Sequence, residues 1–231
     1  MNGAGTPAMS EWTVGTHLAV WLAAFLLGWY VIGLFASRRR AGQLLRQIRD
    51  SLQPLGGDVA IGLVGRSAFR VEARQVRAPL TAVGISVRLE PRETFLVWIV
   101  GRWLGRRDSL VLSVSLDGAA KGAFEVYHPK GRDAAESVRE IRSLNWQVAP
   151  VPSRPELLCA APDAADRALA QDTLSLLRGL DVWRIRLRDG APQVSISLPV
   201  PAAETRVPLP VFPLVPQLAE MILARGVSDR P

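Results

Sequence analysis

The chain is short of the residues from which most local catalytic and metal motifs are built. Its 231 residues hold one cysteine, Cys159, which excludes an internal disulfide framework and any cysteine-rich metal knuckle. Of its two histidines, His17 falls in an apolar run, and His128 alone cannot build a His-based metal site. Lysine is nearly absent. Lys121 and Lys130 are the only two among 28 basic residues, and neither closes a glycine-rich phosphate loop. No G-x-G-x-x-G dinucleotide fingerprint and no G-x-S-x-G nucleophile elbow occurs. Cys159 sits in an apolar run and reads as a buried, inert thiol. His128 lies between Tyr127 and Pro129 and reads as a strand end entering a turn. The pairs Glu90/Glu93 and Glu136/Glu140 read as surface helix charges rather than acid–base pairs. The expectation is no catalytic residue, no cofactor and no metal, with no small-molecule substrate evident.

One long apolar run is present. Residues 14–36 are 23 positions without a formally charged side chain. As a helix they span roughly 34 Å, enough for a hydrocarbon core of about 30 Å. A buried soluble helix would need a polar face it lacks. A cleaved signal peptide would need basic residues before the run. Instead only Glu11 is charged in residues 1–13, and Arg38, Arg39 and Arg40 follow, with Arg46 and Arg49 close behind. The positive-inside rule therefore predicts a single-pass protein of the cell (inner) membrane, with residues 1–13 outside and the rest cytoplasmic. Trp12 suits the outer interface, and Ala24 with Gly28 makes one small-xxx-small pair.

The remainder reads as a mixed α+β domain, so the fold class is α+β behind one N-terminal transmembrane helix. Residues 37–57 predict a basic juxtamembrane helix, with Leu44, Leu45, Ile48 and Leu52 at helical spacing and Pro54, Gly56 and Gly57 ending it. A first α+β unit covers 58–149. Strands are expected at 58–65, 69–76, 80–89, 109–116 and 123–127. Helices are expected at 92–104, with Pro91 in its first turn, and at 133–144, with Asp133 satisfying free amides at its start. A second unit covers 150–198: a short strand at 157–160, a helix at 163–177, and a hairpin of 182–188 with 193–198. In its first strand Arg184, Arg186 and Arg188 share one face, the pattern of a sheet solvated on that side. The two units fit one sheet or two sub-domains. Residues 199–231 close the chain with a proline-rich stretch, which holds six of the 17 prolines by residue 216, and a short helix at 215–225.

Charge is unevenly placed. The net charge is +7, yet residues 38–113 carry 14 arginines against six acids, whereas residues 114–231 carry 14 of each sign. The excess adjoins the apolar run, where anionic lipid attracts about 1 kcal/mol per basic residue and RNA attracts by counterion release. The stretch LEPRETFLVWIVGRWLGRRDSLVLSVSL, residues 89–116, is the most unusual. Its apolar segment is too short to span a bilayer. It suits a core helix, or an interfacial one with Trp98 and Trp103 at headgroup depth and Arg102, Arg106 and Arg107 beside phosphates.

Leu89, Pro91, Arg92, the apolar helix, Gly101, Arg106-Arg107-Asp108 and the alternating strand after them carry a resemblance. The stretch resembles a family of uncharacterised archaeal and bacterial single-pass proteins with a basic stalk and an α+β cytoplasmic domain. More distantly it is similar to the cytosolic domain of the eukaryotic coiled-coil-domain protein family of the PAT translocon-associated complex. The similarity covers residues 14–145 loosely and 89–116 best. This chain lacks that family's acidic lumenal region and its charged C-terminal coiled coil. The resemblance implies a membrane-protein partner, in the insertion machinery or at the ribosome and its rRNA. Three functions follow as expectations: a non-enzymatic membrane-tethered adaptor, a lipid-surface or envelope structural protein, and an enzyme with a discontinuous site. For the adaptor the contact residues would be Arg38, Arg39, Arg40, Arg46, Arg49, Trp98, Arg102, Trp103, Arg106 and Arg107, with the bilayer itself as a partner.

Overall fold

The computed structural model describes residues 9–65, 68–120, 122–131, 133–200 and 209–228, with side chains from 15 to 224. The side chain of Trp12 and residues 201–208 of the proline-rich stretch lie outside the described residues.

The apolar run and the basic stalk form one unbroken helix, α1 (Met9–Leu52). It is long and apolar enough to cross a membrane, and only 6% of its most apolar window is buried inside the protein. A soluble core helix would be mostly buried. The stalk half behaves differently: Leu44, Ile48 and Leu52 are fully buried in the domain core. A short 3-10 turn (Gln53–Leu55) with Gly56 at φ 72° ends the helix, as the Pro54-Gly56-Gly57 signal requires.

Among the described residues nine strands follow: β1 (Asp58–Leu63), β2 (Ala68–Arg74), β3 (Leu80–Arg88), β4 (Ser109–Leu116), β5 (Phe124–Tyr127), β6 (Gln147–Val151), β7 (Arg154–Ala161), β8 (Arg184–Leu187) and β9 (Val194–Pro199). Helices α2 (Phe95–Trp103), α3 (Ala134–Ser143), α4 (Ala164–Leu176) and α5 (Val215–Ser228) are set among them. All nine strands join one antiparallel sheet in the order β1-β2-β3-β4-β9-β8-β5-β7-β6. Position 150 falls inside β6. Strand β5 pairs with β7 and β8, and β4 pairs with β9, so strands from both sides of that position interleave in one sheet.

Period-2 alternation sets the faces. In β4, Leu110, Leu112, Val114 and Leu116 are buried, while Ser109, Val111, Ser113 and Ser115 are half-exposed. The buried face packs under the α1 stalk, α4 and α5 in one continuous core. The chain returns to that core at Leu209, whose backbone N–H donates to Ser51 Oγ at 3.2 Å.

The structure corrects several sequence expectations. Strand β6 contains Pro150 and was not expected; it lies at the sheet edge, where a missing N–H costs no ladder bond. Asp133 stands at the start of α3 but makes no side-chain cap, because its backbone (φ −95°, ψ 8°) is not extended. Asp163 is extended and accepts from the Asp166 N–H at 2.8 Å. Helix α2 begins at Phe95 rather than near Pro91, since residues 90–92 bond to groups outside it.

The largest correction concerns Arg184, Arg186 and Arg188. Their face is not solvated; α3 covers it. Glu125, fully buried on β5, accepts from Arg184 Nε and Arg188 Nη2, each at 2.8 Å. Glu140 on α3 accepts from all three arginines at 3.1–3.4 Å, and Glu136 lies 3.6 Å from Arg184. Glu136 and Glu140 are thus members of a network rather than free surface charges. Three arginines meet three carboxylates, so the buried cluster is neutral. Removing one partner from a buried pair strands the other charge, at about 3–5 kcal/mol. Glu125→Ala should lower the unfolding free energy by about that amount, whereas Glu136→Ala, at the exposed end, should cost less than about 1 kcal/mol. Urea unfolding of the full chain in detergent micelles measures both; equal costs would contradict this ranking.

Candidate functional site

The insertion between β3 and β4 builds the site. At its base the buried carboxylate of Asp108 accepts from two groups at 2.8 Å: the backbone N–H of Glu90 and Nη2 of Arg92. One side chain thus closes the loop that carries α2. Arg40 of α1 is buried beside it, facing both Asp108 and Arg92. Burial pushes the Arg40 guanidinium below its ordinary pKa, and the Asp108 charge pulls the other way.

From this base α2 docks on the apolar half of α1. The Trp29 indole donates to the Arg92 carbonyl at 3.0 Å. Phe95 stands edge-on to Phe25 and to Trp29, with ring centroids 5.4 and 4.7 Å apart, and Trp98 lies 5.6 Å from Trp29. Gly33 makes the approach possible, because a Cβ there would overlap the Arg92 carbonyl. Only Gly101 of α2 is buried. Leu96, Val97, Val100 and Trp103 are exposed, as is Leu104 just beyond, with Trp103 at 86%. Helix α2 is therefore not a core helix. It extends the exposed apolar surface of α1.

A Schellman ending then turns the chain. Gly105 takes φ 70°, and the Arg106 N–H donates to the Gly101 carbonyl at 2.9 Å. This places Arg106 and Arg107 on the wall of a cleft of about 650 Å³, together with Leu104, His128, Lys130, Asp181 and Trp183. His128 and Asp181 both line the cleft, but no hydrogen bond joins them. Among the described residues no cluster of three metal-binding side chains exists. Cys159 is buried as expected; desolvation pushes its thiol up to about 11, so it stays protonated at neutral pH.

The expected contact residues divide. Arg38, Arg39, Arg46, Arg49, Arg102, Trp103, Arg106 and Arg107 are exposed. Arg40 is not, because it faces Asp108, and Trp98 is half-buried against Trp29. Sequence reasoning gave no role to Trp29, Gly33, Lys130 or Trp183. The signal it passed over was an opposite-charge pair, Arg92 and Asp108, bracketing the apolar helix.

No protein-family model matches the chain, and no curated protein matches it.

The docking of α2 is testable at its tightest point. Gly33→Ala should overpack the junction by about 1–3 kcal/mol and speed amide exchange across residues 95–103 roughly tenfold. Gly28→Ala, with open space around it, should leave that exchange unchanged. Hydrogen–deuterium exchange by mass spectrometry separates the two; equal effects would contradict the docking.

Proposed function

We propose that the chain is a non-enzymatic, membrane-tethered cytoplasmic adaptor anchored at two points. In this reading α1 spans the cell (inner) membrane with its N-terminus outside. Helix α2 lies in the cytoplasmic leaflet, and the sheet domain stands against the bilayer surface.

The observation that carries the reading is the docking of α2 on Phe25, Trp29 and Gly33 with its apolar side chains facing outward. Measured back from residue 36, Gly33 and Phe25 lie roughly 5 and 16 Å into the apolar span. Interfacial helices settle about 5–10 Å below the headgroups, within that interval. Water is a poor neighbour for the same face, because each exposed Leu or Val forgoes about 1.5–3 kcal/mol of burial. A cleaved leader is disfavoured too, because removing the apolar half of α1 would strip α2 of its support. Arg38 and Arg39, exposed just past the span, suit the cytoplasmic side.

Two anchors hold a domain in one orientation, which a single helix does not. A tether also concentrates the domain at the membrane, so weak contacts suffice for partner recognition. The partner class implied by the resemblance is a membrane protein of the insertion machinery, or the ribosome. A second reading, a lipid-surface structural protein, is favoured by the exposed Arg102, Arg106 and Arg107 beside an apolar face.

Two measurements decide between them. The detergent-solubilised full chain should co-sediment with ribosomes at low salt, and the bound fraction should fall steeply as salt rises. A photo-crosslinking residue at position 102 should attach in cells to one membrane protein. No sedimentation at low salt removes the ribosome version, and crosslinks to lipid alone turn the assignment to the structural reading.

A further inference from the structure

Three exposed cationic groups and a half-buried histidine converge on one concave site. Arg106, Arg107, His128 and Lys130 line the same cleft beside the C-terminal end of α2, and its volume of about 650 Å³ lies in the range of small-molecule sites. Elsewhere in the domain the arginines that gather are paired with carboxylates. Arg70 and Arg74 pair with Glu72, Arg92 with Asp108, and Arg184, Arg186 and Arg188 with Glu125 and Glu140. Among the described residues no carboxylate forms an ion pair with Arg106, Arg107 or Lys130. The cleft therefore holds three formal positive charges against one carboxylate, Asp181.

His128 adds a directed donor. Its Nδ1 accepts from the Lys130 backbone N–H at 3.1 Å, so the neutral ring carries its hydrogen on Nε2. Two guanidinium groups, an ammonium and an imidazole N–H offer donors only, the complement of phosphate oxygens. Asp181 supplies one acceptor, which matches a headgroup hydroxyl. Apolar surface borders these polar groups. Leu104 lines the cleft and is exposed, and next to it Trp103 and Val100 continue the outer face of α2. Trp183, an amphipathic ring suited to an interface, forms part of the wall.

We propose that this cleft binds the headgroup of an anionic phospholipid of the cytoplasmic leaflet. The phosphodiester would meet Arg106, Arg107, Lys130 and His128 Nε2, and the acyl chains would run from Leu104 along Trp103 and Val100. The proposal rests on the membrane-tethered reading of the chain but on no adaptor partner. A free phosphate shares the polar chemistry; continuity of the cleft with the apolar face of α2 favours the lipid.

The test uses the full chain in detergent micelles, titrated with dioleoyl phosphatidylglycerol or dioleoyl phosphatidylcholine and read by native mass spectrometry. The expected result is tighter binding of phosphatidylglycerol by at least about tenfold. Arg107→Gln/Lys130→Gln should reduce its affinity to the phosphatidylcholine level. Arg38→Gln/Arg39→Gln removes the same charge from exposed positions outside the cleft and should keep the preference. Thermal unfolding of both variants checks that the fold is retained. Should the cleft variant unfold, Arg107→Lys/Lys130→Arg, which keeps the charge, replaces it and should retain at least part of the preference. Equal affinity for the two lipids overturns the proposal, as does equal loss in both double variants. Displacement of phosphatidylglycerol by millimolar inorganic phosphate would assign the cleft to a soluble phosphate compound instead, and displacement by a short single-stranded RNA would assign it to nucleic acid. Either overturns the lipid assignment. A lipid preference without ribosome sedimentation would leave the cleft assigned and the ribosome version of the adaptor lost. The converse would do the reverse.

Discussion

The structure around α2 depends on one buried carboxylate. Asp108 ties the first residue of β4's approach to the last residues of β3's exit through Glu90 and Arg92, and it faces Arg40 on the long helix. Arg40 and Arg92 gather around Asp108 where both Arg40 and Asp108 are buried. That arrangement is stable only if the three chain segments stay together, because a lone Arg40 or Arg92 would keep its desolvation cost without its partner. The same contact thus closes the α2 loop, orients it along α1 and fixes the stalk to the sheet. The Trp29 bond and the Gly33 approach follow from that geometry, since they engage the Arg92 carbonyl two residues from the Glu90 amide that Asp108 holds.

Charge placement then acquires two distinct meanings. On the distal side, three arginines are drawn inward. Arg184, Arg186 and Arg188 fill the space under α3 against Glu125 and Glu140, and Arg188 also stacks 5.0 Å over Trp146. Near the apolar half of α1 the arginines divide. Arg40 and Arg92 serve structure, while Arg102, Arg106 and Arg107 remain exposed around the end of α2. An excess of eight positive charges between residues 38 and 113 is therefore an upper limit on what faces a membrane or a partner.

Much of this fold was legible from local pattern. The helix through residue 52, the alternation of β4 and the 184–198 hairpin follow from spacing that a 3.6- or 2-residue period enforces. Other features depend on contacts distant in sequence. Strand β6, which holds Pro150, carries no alternating pattern and owes its place to pairing with β7 at the sheet edge. The arginine face of β8 read as solvated because its partner Glu125 lies 59 residues earlier. The candidate site was half legible. Arg106 and Arg107 stand out beside an apolar helix, but Lys130 and Trp183 reach the same cleft only through the order of the sheet strands. The choice between a core and an outward-facing α2 turned on Trp29 and Gly33, which looked like ordinary residues of a membrane-spanning segment.

The central claim is that α2 sits among acyl chains as a second anchor. It is tested most directly by its depth. With Cys159 replaced by alanine, a single nitroxide at position 96 of the full chain in lipid bilayers should relax faster with oxygen than with a water-soluble nickel chelate. A label at position 117, at the far end of β4, should show the opposite. A label at 96 that meets the nickel chelate as freely as the one at 117 would place α2 in water and contradict the account.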